Sequence, residues 1–282
     1  MKRFENLKEL PSPIVDFHTH LFPDKLSDAI RRQFVVDYGW GVLHDLYWRQ
    51  TVEYLREHGV GPIIYSNYAH KKGVARSLND WNTEILKELD DVYCFAAYHP
   101  DDDDGLAMAA DLLSHPRIIG FKLQLLVQRF FPDDPRLFPL YELVMEKKKR
   151  LLLHVGTGPV GNEFVGIDPF KRLLARYPDL PANIAHMGGL EYDQFGALLD
   201  DHPALYMDTA FSFLAGAGLM FNLGNDFLEA HKKRILYGSD FPNVILPREE
   251  EIDALLGRNL SQDFYDAVFR DNGLALIEEL VP

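Results

Sequence analysis

Eight short apolar runs, each followed by a segment with helical spacing, predict a (β/α)8 (TIM) barrel, an α/β fold whose strands are all parallel. Candidate ligands lie at or beside the last residues of four of the runs, the first, fifth, sixth and eighth: His18 and His20, His154, His186 and Asp240. An open doubly wound sheet gathers its binding residues at one switch point, so only a closed ring brings those four ends together. The length of 282 residues suits a single barrel domain spanning 1–282, with no composition break, internal repeat or long linker to divide it.

The first run, Ile14 to His20, lies between Pro13 and Pro23, residues that punctuate a strand rather than extend it. The others are Pro62 to Asn67, Val92 to Tyr98, Ile118 to Leu123, Leu151 to Val155, Asn183 to Met187, Ala204 to Thr209 and Arg234 to Ser239. Both faces of each are apolar until the last residues, the pattern of a strand covered on both sides. Helical spacing fills the gaps: Leu46 to His58, Ser77 to Leu89, Leu106 to Leu113, Leu137 to Met145, Pro169 to Tyr177, Tyr192 to Leu199, Leu219 to Ala230, Glu249 to Leu256, Gln262 to Phe269 and Asn272 to Leu280. Phe22 to Asp45 is longer than a βα loop and holds Phe34, Tyr38 and Trp40. It is expected to shape a pocket or lid, with a subunit contact or hydrophobic cap as the alternative.

Composition excludes several partners. The 43 acidic residues outnumber the 29 basic ones, for a formal charge of −14, and no basic cluster can track a phosphate backbone. The densest basic run, Lys147 to Arg150, falls at a helix end, where cations offset the macrodipole. Cys94 is the one cysteine and sits in an apolar strand, so it reads as a small core residue. Met1 to Glu5 carries no apolar signal core and no run reaches membrane-span length, so a cytoplasmic protein is expected. A homodimer is admitted; nucleic acid and membrane are not.

Side chains alternate along a strand, so His18 and His20 point the same way and can hold one metal ion. His154 and Asp240, ending the fifth and eighth strands, complete three imidazoles and one carboxylate. That set suits zinc first, with manganese or another transition metal as alternatives. His186, at the end of the sixth strand, is then free to move protons. A lone histidine on an apolar strand is more often a core residue than a ligand, but chance does not explain the whole set.

With these motifs in view, the chain resembles the amidohydrolase superfamily, in the branch of amidohydrolase-related and aminocarboxymuconate semialdehyde decarboxylase-like enzymes. The resemblance rests on Asp16-Phe17-His18-Thr19-His20, Gly120 to Gln124, Leu153 to Gly156, Ala185 to Gly189, Gly238 to Pro242 and Arg270 to Gly273. It implies that His18, His20 and His154 are ligands, that Asp240 binds the metal or its water, and that His186 is the acid/base or oxyanion-stabilising residue. In some relatives a lysine ending the fourth strand is carbamylated and bridges two metals. Here Lys122 occupies that place, but Gln124 stands where similar sequences often have histidine. Its role stays open between substrate carboxylate contact, metal bridge and structural amine.

Lys122 and Gln124 share strand parity and are candidates for substrate contact, as is Arg129 in the following loop, against the plainer reading of a solvated arginine. Tyr65, Asn67, His99 and Asp208 near strand ends are weaker candidates, and Asp16 is expected to support the histidines from beneath. Gly216 and Gly218 flank Ala217 and suggest close backbone approach or a mobile loop.

The first functional expectation is hydrolysis of a small-molecule amide, lactone or related carbonyl bond by metal-activated water, with the water's pKa lowered to about 7 and Asp240 accepting its proton. The alternative is non-oxidative decarboxylation of an unsaturated or aromatic acid. A barrel that binds a small molecule without catalysis is the third, and stoichiometric metal in the purified protein separates it from the others.

Overall fold

The expected alternation forms in the computed structural model, which describes residues 10–215 and 219–281. The N-terminal residues Met1 to Glu5 and the Gly216-Ala217-Gly218 segment lie outside the described residues. The chain runs β1 (Ile14–His20), α1 (Asp24–Tyr38), α2 (Trp48–Glu57), β2 (Val60–Ser66), α3 (Val74–Glu88), β3 (Val92–Ala97), α4 (Gly105–Leu112), β4 (Ile118–Gln124), α5 (Leu125–Gln128), α6 (Phe138–Glu146) and β5 (Arg150–His154). It continues through α7 (Ile167–Arg176), β6 (Ala182–Ile184), α8 (Tyr192–Asp201), β7 (Leu205–Asp208), β8 (Phe213–Leu214), β9 (Leu219–Met220), α9 (Asn225–His231), β10 (Ile235–Leu236), α10 (Arg248–Leu256), α11 (Gln262–Asp266) and α12 (Asn272–Leu280).

Eight strands pair in the order β1-β2-β3-β4-β5-β6-β7-β10, every neighbour parallel. The ring is completed by backbone bonds between β1 and the segment after β10. Phe17 N donates to Tyr237 O, Asp240 N to His18 O and His20 N to Phe241 O, each at 2.8 Å. This is the (β/α)8 barrel, with helices between the strands and the strand ends gathered on one rim.

Its core explains the apolar runs. Ile63, Tyr65, Cys94, Phe121, Leu123, Leu151 and Leu153 pack with helix residues such as Leu55, Leu86, Leu140 and Phe170 in one large cluster. A second cluster joins Val15, Phe17, Ile64, Phe95, Ile119, Leu152 and Leu236 to Leu276, Ile277 and Leu280 of α12. Each such side chain contributes about 1.5–3 kcal/mol by leaving water.

Four details differ from expectation. Asp24–Tyr38 is a helix; none of its residues is fully buried, and its Leu26 and Ile30 pack only partly buried against the cluster around Phe22 and Tyr68. The sixth strand stops at Ile184, because His186 (φ 57°, ψ 32°) and Met187 (φ 51°, ψ 26°) take left-handed backbone that cannot continue a strand. The helix expected from Leu219 begins at Asn225, and Leu219–Met220 pairs instead with Phe213–Leu214 as a two-stranded hairpin. The pairing of β1 shifts register between Ile14 and Asp16 and again between Asp16 and Thr19, so simple alternation does not run its length.

Candidate metal centre

The backbone bonds that close the ring also bring the residues of the centre together. Asp240 sits at φ 60°, a left-handed conformation that costs a non-glycine residue on the order of 1–3 kcal/mol. It is held there by its N–H bond to His18 O and by the neighbouring Ser239, whose hydroxyl donates to Asp16 Oδ2 at 2.6 Å. Asp16 therefore fixes the Asp240 turn and, through Oδ1, accepts from the backbone of His18 and Ser239; it makes no contact with the imidazoles themselves. Gly238 is required by the same crowding, since a Cβ there would stand 2.7 Å from His18 Cβ.

Around this turn the hydrogen bonds assign the imidazole tautomers. His18 Nδ1 lies 2.9 Å from Asp208 Oδ2 and donates to it, which leaves the lone pair on Nε2. His20 Nδ1 lies 3.2 Å from Ser66 O, so its lone pair is also on Nε2. Asp240 Oδ1 then faces both lone pairs, 3.2 Å from His18 Nε2 and 3.0 Å from His20 Nε2. Three electron-rich atoms this close repel one another unless a cation lies among them. Lys122 Nζ is 3.1 Å from His18 Nε2 and fully buried, and burial pushes its pKa down to about 8.

Among the described residues two groups of side chains are spaced to hold a metal ion: His18, His20 and Asp240, and His18, His186 and Asp208. The second shares the Nδ1-to-carboxylate bond just described, which makes Asp208 the residue that orients His18 rather than a free ligand. His154 is placed differently from the other histidines. Its Nε2 donates to Gly158 O at 2.9 Å, while its buried Nδ1 has no partner. His154 belongs to neither group, but its orphaned buried nitrogen, together with the facing atoms of His18, His20 and Asp240, is what a divalent cation would satisfy, so the residues present fit the metal.

His186 lies alongside, its ring centroid 5.1 Å from His18 and 4.8 Å from His154. Its backbone N–H donates to Asp208 Oδ1 and its Nδ1 to Ala210 O, both at 3.0 Å, which stabilises the left-handed bend and leaves Nε2 available. Charge follows the geometry. Burial pushes the Asp240 carboxyl up, but the neighbouring His20, His18 and His186 outweigh that and hold it below the usual carboxylate range. Burial, reinforced by neighbouring cationic groups, holds His18 and His154 well below the ordinary imidazole pKa. Burial also raises Asp208 to about 6.

Over the centre opens a cavity lined by His20, His154, His186 and Asp240 below and by six aromatic rings, Phe34, Tyr38, Trp40, Tyr68, Tyr192 and Phe211. Trp40 and Phe211 are near-parallel, 3° apart in plane at 6.2 Å between centroids. No lysine or arginine is among the described residues that line this slot. Gln124 does, with a buried Oε1 that has no partner. Arg129 does not: it caps α5 at φ 62°, is exposed, and lines a wider outer cavity that shares Phe34, Tyr38, Tyr68, Leu126 and Val127 with the slot. Asp208 was a weak candidate in the sequence, and the pairing with His18 that gives it meaning spans 190 positions.

A parallel eight-stranded barrel with imidazoles and a carboxylate gathered at its rim defines a metal-dependent enzyme class. Residues 15–277 match the amidohydrolase family, and the chain belongs to it. That family depends on divalent metal. No curated protein sequence matches. The solved structures that the fold resembles include 2,6-dihydroxybenzoate decarboxylase complexed with 2,6-dihydroxybenzoate (15% identity, TM-score 0.68, covering 95% of this chain and 100% of that one). A second is 5-carboxyvanillate decarboxylase from Novosphingobium aromaticivorans with bound manganese (13%, 0.65, 96% and 98%). A third is a putative 2-pyrone-4,6-dicarboxylic acid hydrolase from Pseudomonas putida (20%, 0.64, 97% and 100%).

Proposed function

We propose that this enzyme is a non-oxidative decarboxylase of a planar aromatic or unsaturated acid, the alternative reading of the sequence, in preference to a hydrolase. The observation that carries it is the slot: six aromatic rings set over the His18–His20–Asp240 cluster. Such walls accept a flat π-system and strip water from a carboxylate, and losing that hydration favours a transition state in which the charge spreads into the ring. Decarboxylases among the similar folds support the reading.

A divalent ion, zinc or manganese, held by His18, His20, His154 and Asp240, would supply the positive charge that anchors the substrate's carboxylate. The protein's own groups do the rest. Asp208 and Ser66 hold the two β1 imidazoles in the tautomers that present Nε2. Gln124 offers an unpaired amide oxygen to a substrate hydroxyl. His186, with Nδ1 tied to Ala210 O, keeps Nε2 to carry the proton that replaces carbon dioxide. Lys122 steadies the electron-rich floor from beneath, and Arg129 meets anionic substrate at the outer cavity.

The test is a panel of aromatic and unsaturated acids, with amides and lactones alongside, offered to zinc- and manganese-loaded protein while carbon dioxide is measured. Carbon dioxide release with one solvent deuteron at the vacated carbon in D2O is expected. Turnover of a lactone or amide with no carbon dioxide from any acid would assign hydrolysis instead.

A further inference from the structure

The loop after β7 serves the slot twice. Phe211 forms one of its walls, near-parallel to Trp40, and Ala210 O accepts from His186 Nδ1 at 3.0 Å. The loop is strained in doing so: Phe211 sits at φ 60°, a left-handed conformation that persists only where the surroundings enforce it. Bonds such as Ser212 Oγ to Ala210 O and Ser212 N to Thr209 O stay within the loop. A hold from outside comes from Glu251 of α10, whose Oε1 accepts from Phe213 N at 3.1 Å and to which the Phe211 backbone donates as well. Glu251 is 4% exposed and enters no ion pair among the described residues, a costly condition for a carboxyl group. Burial pushes its carboxyl well above the usual range, as suits a group held by backbone N–H bonds and not by a cation. It lines neither the slot nor the outer cavity.

We propose that Glu251 is a positioning residue: by accepting from the backbone of Phe211 and Phe213 it holds the Phe211 ring opposite Trp40 and Ala210 O at His186 Nδ1. One carboxyl group outside the slot thus sets both the gap between two aromatic walls and the aim of the proton-carrying imidazole. Without that acceptor, buried N–H groups are left unpaired, and the backbone at Phe211 relaxes toward an ordinary conformation. The inference rests on the slot as the substrate site and on His186 as the proton carrier, and not on which of the two reactions takes place there.

Crystal structures of metal-loaded Glu251→Gln and Glu251→Met test the hold, beside kinetics on whichever compound of the acid, amide and lactone panel is turned over. In Glu251→Met, Phe211 is expected to leave its parallel position against Trp40, with metal content unchanged. There kcat should fall and KM rise, each roughly tenfold, because aim and wall are lost together. Glu251→Gln keeps an acceptor oxygen at the same reach and should hold the loop in place, with kinetics within about threefold of wild type. Phe211→Ala should raise KM, and adding Glu251→Met to it should raise KM little further. If Glu251→Met does not fold, Glu251→Asp, one methylene short of the loop, takes its place in the comparison. A loop that stays in position in that variant overturns the proposal. So does a displaced loop with wild-type kcat and KM, or a Gln variant as impaired as the Met one. A panel in which nothing is turned over fails the functional reading instead, and the loop position together with the affinity for aromatic acids then decides this one.

Discussion

The floor of the barrel and the helix over its mouth are built on opposite terms. On the floor, His18, Asp16, Lys122 and Asp208 are at most 1% exposed, and each has a named partner at hydrogen-bond distance. Over the mouth, α1 has no buried residue, and Val35 and Val36 are 55% and 76% exposed. Yet α1 supplies Phe34 and Tyr38 to the slot. Chemistry is thus placed where nothing moves freely, and substrate choice is placed on an element that little else in the fold depends on.

Substitutions separate the two regions if the contrast holds. The largest effect is expected on the floor: His18→Ala or Asp240→Ala should remove bound metal and at least about a thousandfold of activity, checked by metal analysis beside turnover. Chelation of the native protein should do the same and lower Tm, because the three facing lone pairs lose their cation. His186→Asn comes next, with kcat down roughly a hundredfold or more and metal content largely intact. Loss of metal in that variant would make His186 a ligand and blur the division. Asp208→Asn should weaken metal affinity about 10- to 100-fold by freeing the His18 ring, read by competitive chelator titration. At the mouth, Phe34→Ala and Tyr38→Ala should raise KM by roughly tenfold while changing stability by less than about 1 kcal/mol. A collapse in Tm there would show that α1 is structural after all.

The same contrast decides what could be read in the sequence. Six of the eight strands were legible to within two residues because burial on both faces leaves an unbroken apolar run, as in Leu151 to Val155, while the sixth and eighth end three residues early, at Ile184 and Leu236. The four strand-end residues stood out for the same reason, each being polar where the run should be apolar. Helix α1 was not legible: its stripe of Leu26, Ile30 and Phe34 is only partly buried, and Leu26 and Ile30 pack against the small cluster around Phe22 and Tyr68 rather than the main core. The bend at His186 was hidden because it depends on Asp208 and Ala210 accepting bonds from another part of the chain. Arg129 was weighed as a substrate contact against the plainer reading of a solvated arginine, and the left-handed cap of α5 leaves it exposed.

The join between β1 and the segment after β10 carries a consequence for biosynthesis. Residues 14–20 leave the ribosome early and Asp240 more than two hundred positions later, so with the proposed ligands the nascent chain would hold half a coordination sphere for most of its synthesis. Metal loading would then be a late event, a clasp fastened across the two ends of the ring, and a product truncated before Asp240 would be both open and empty.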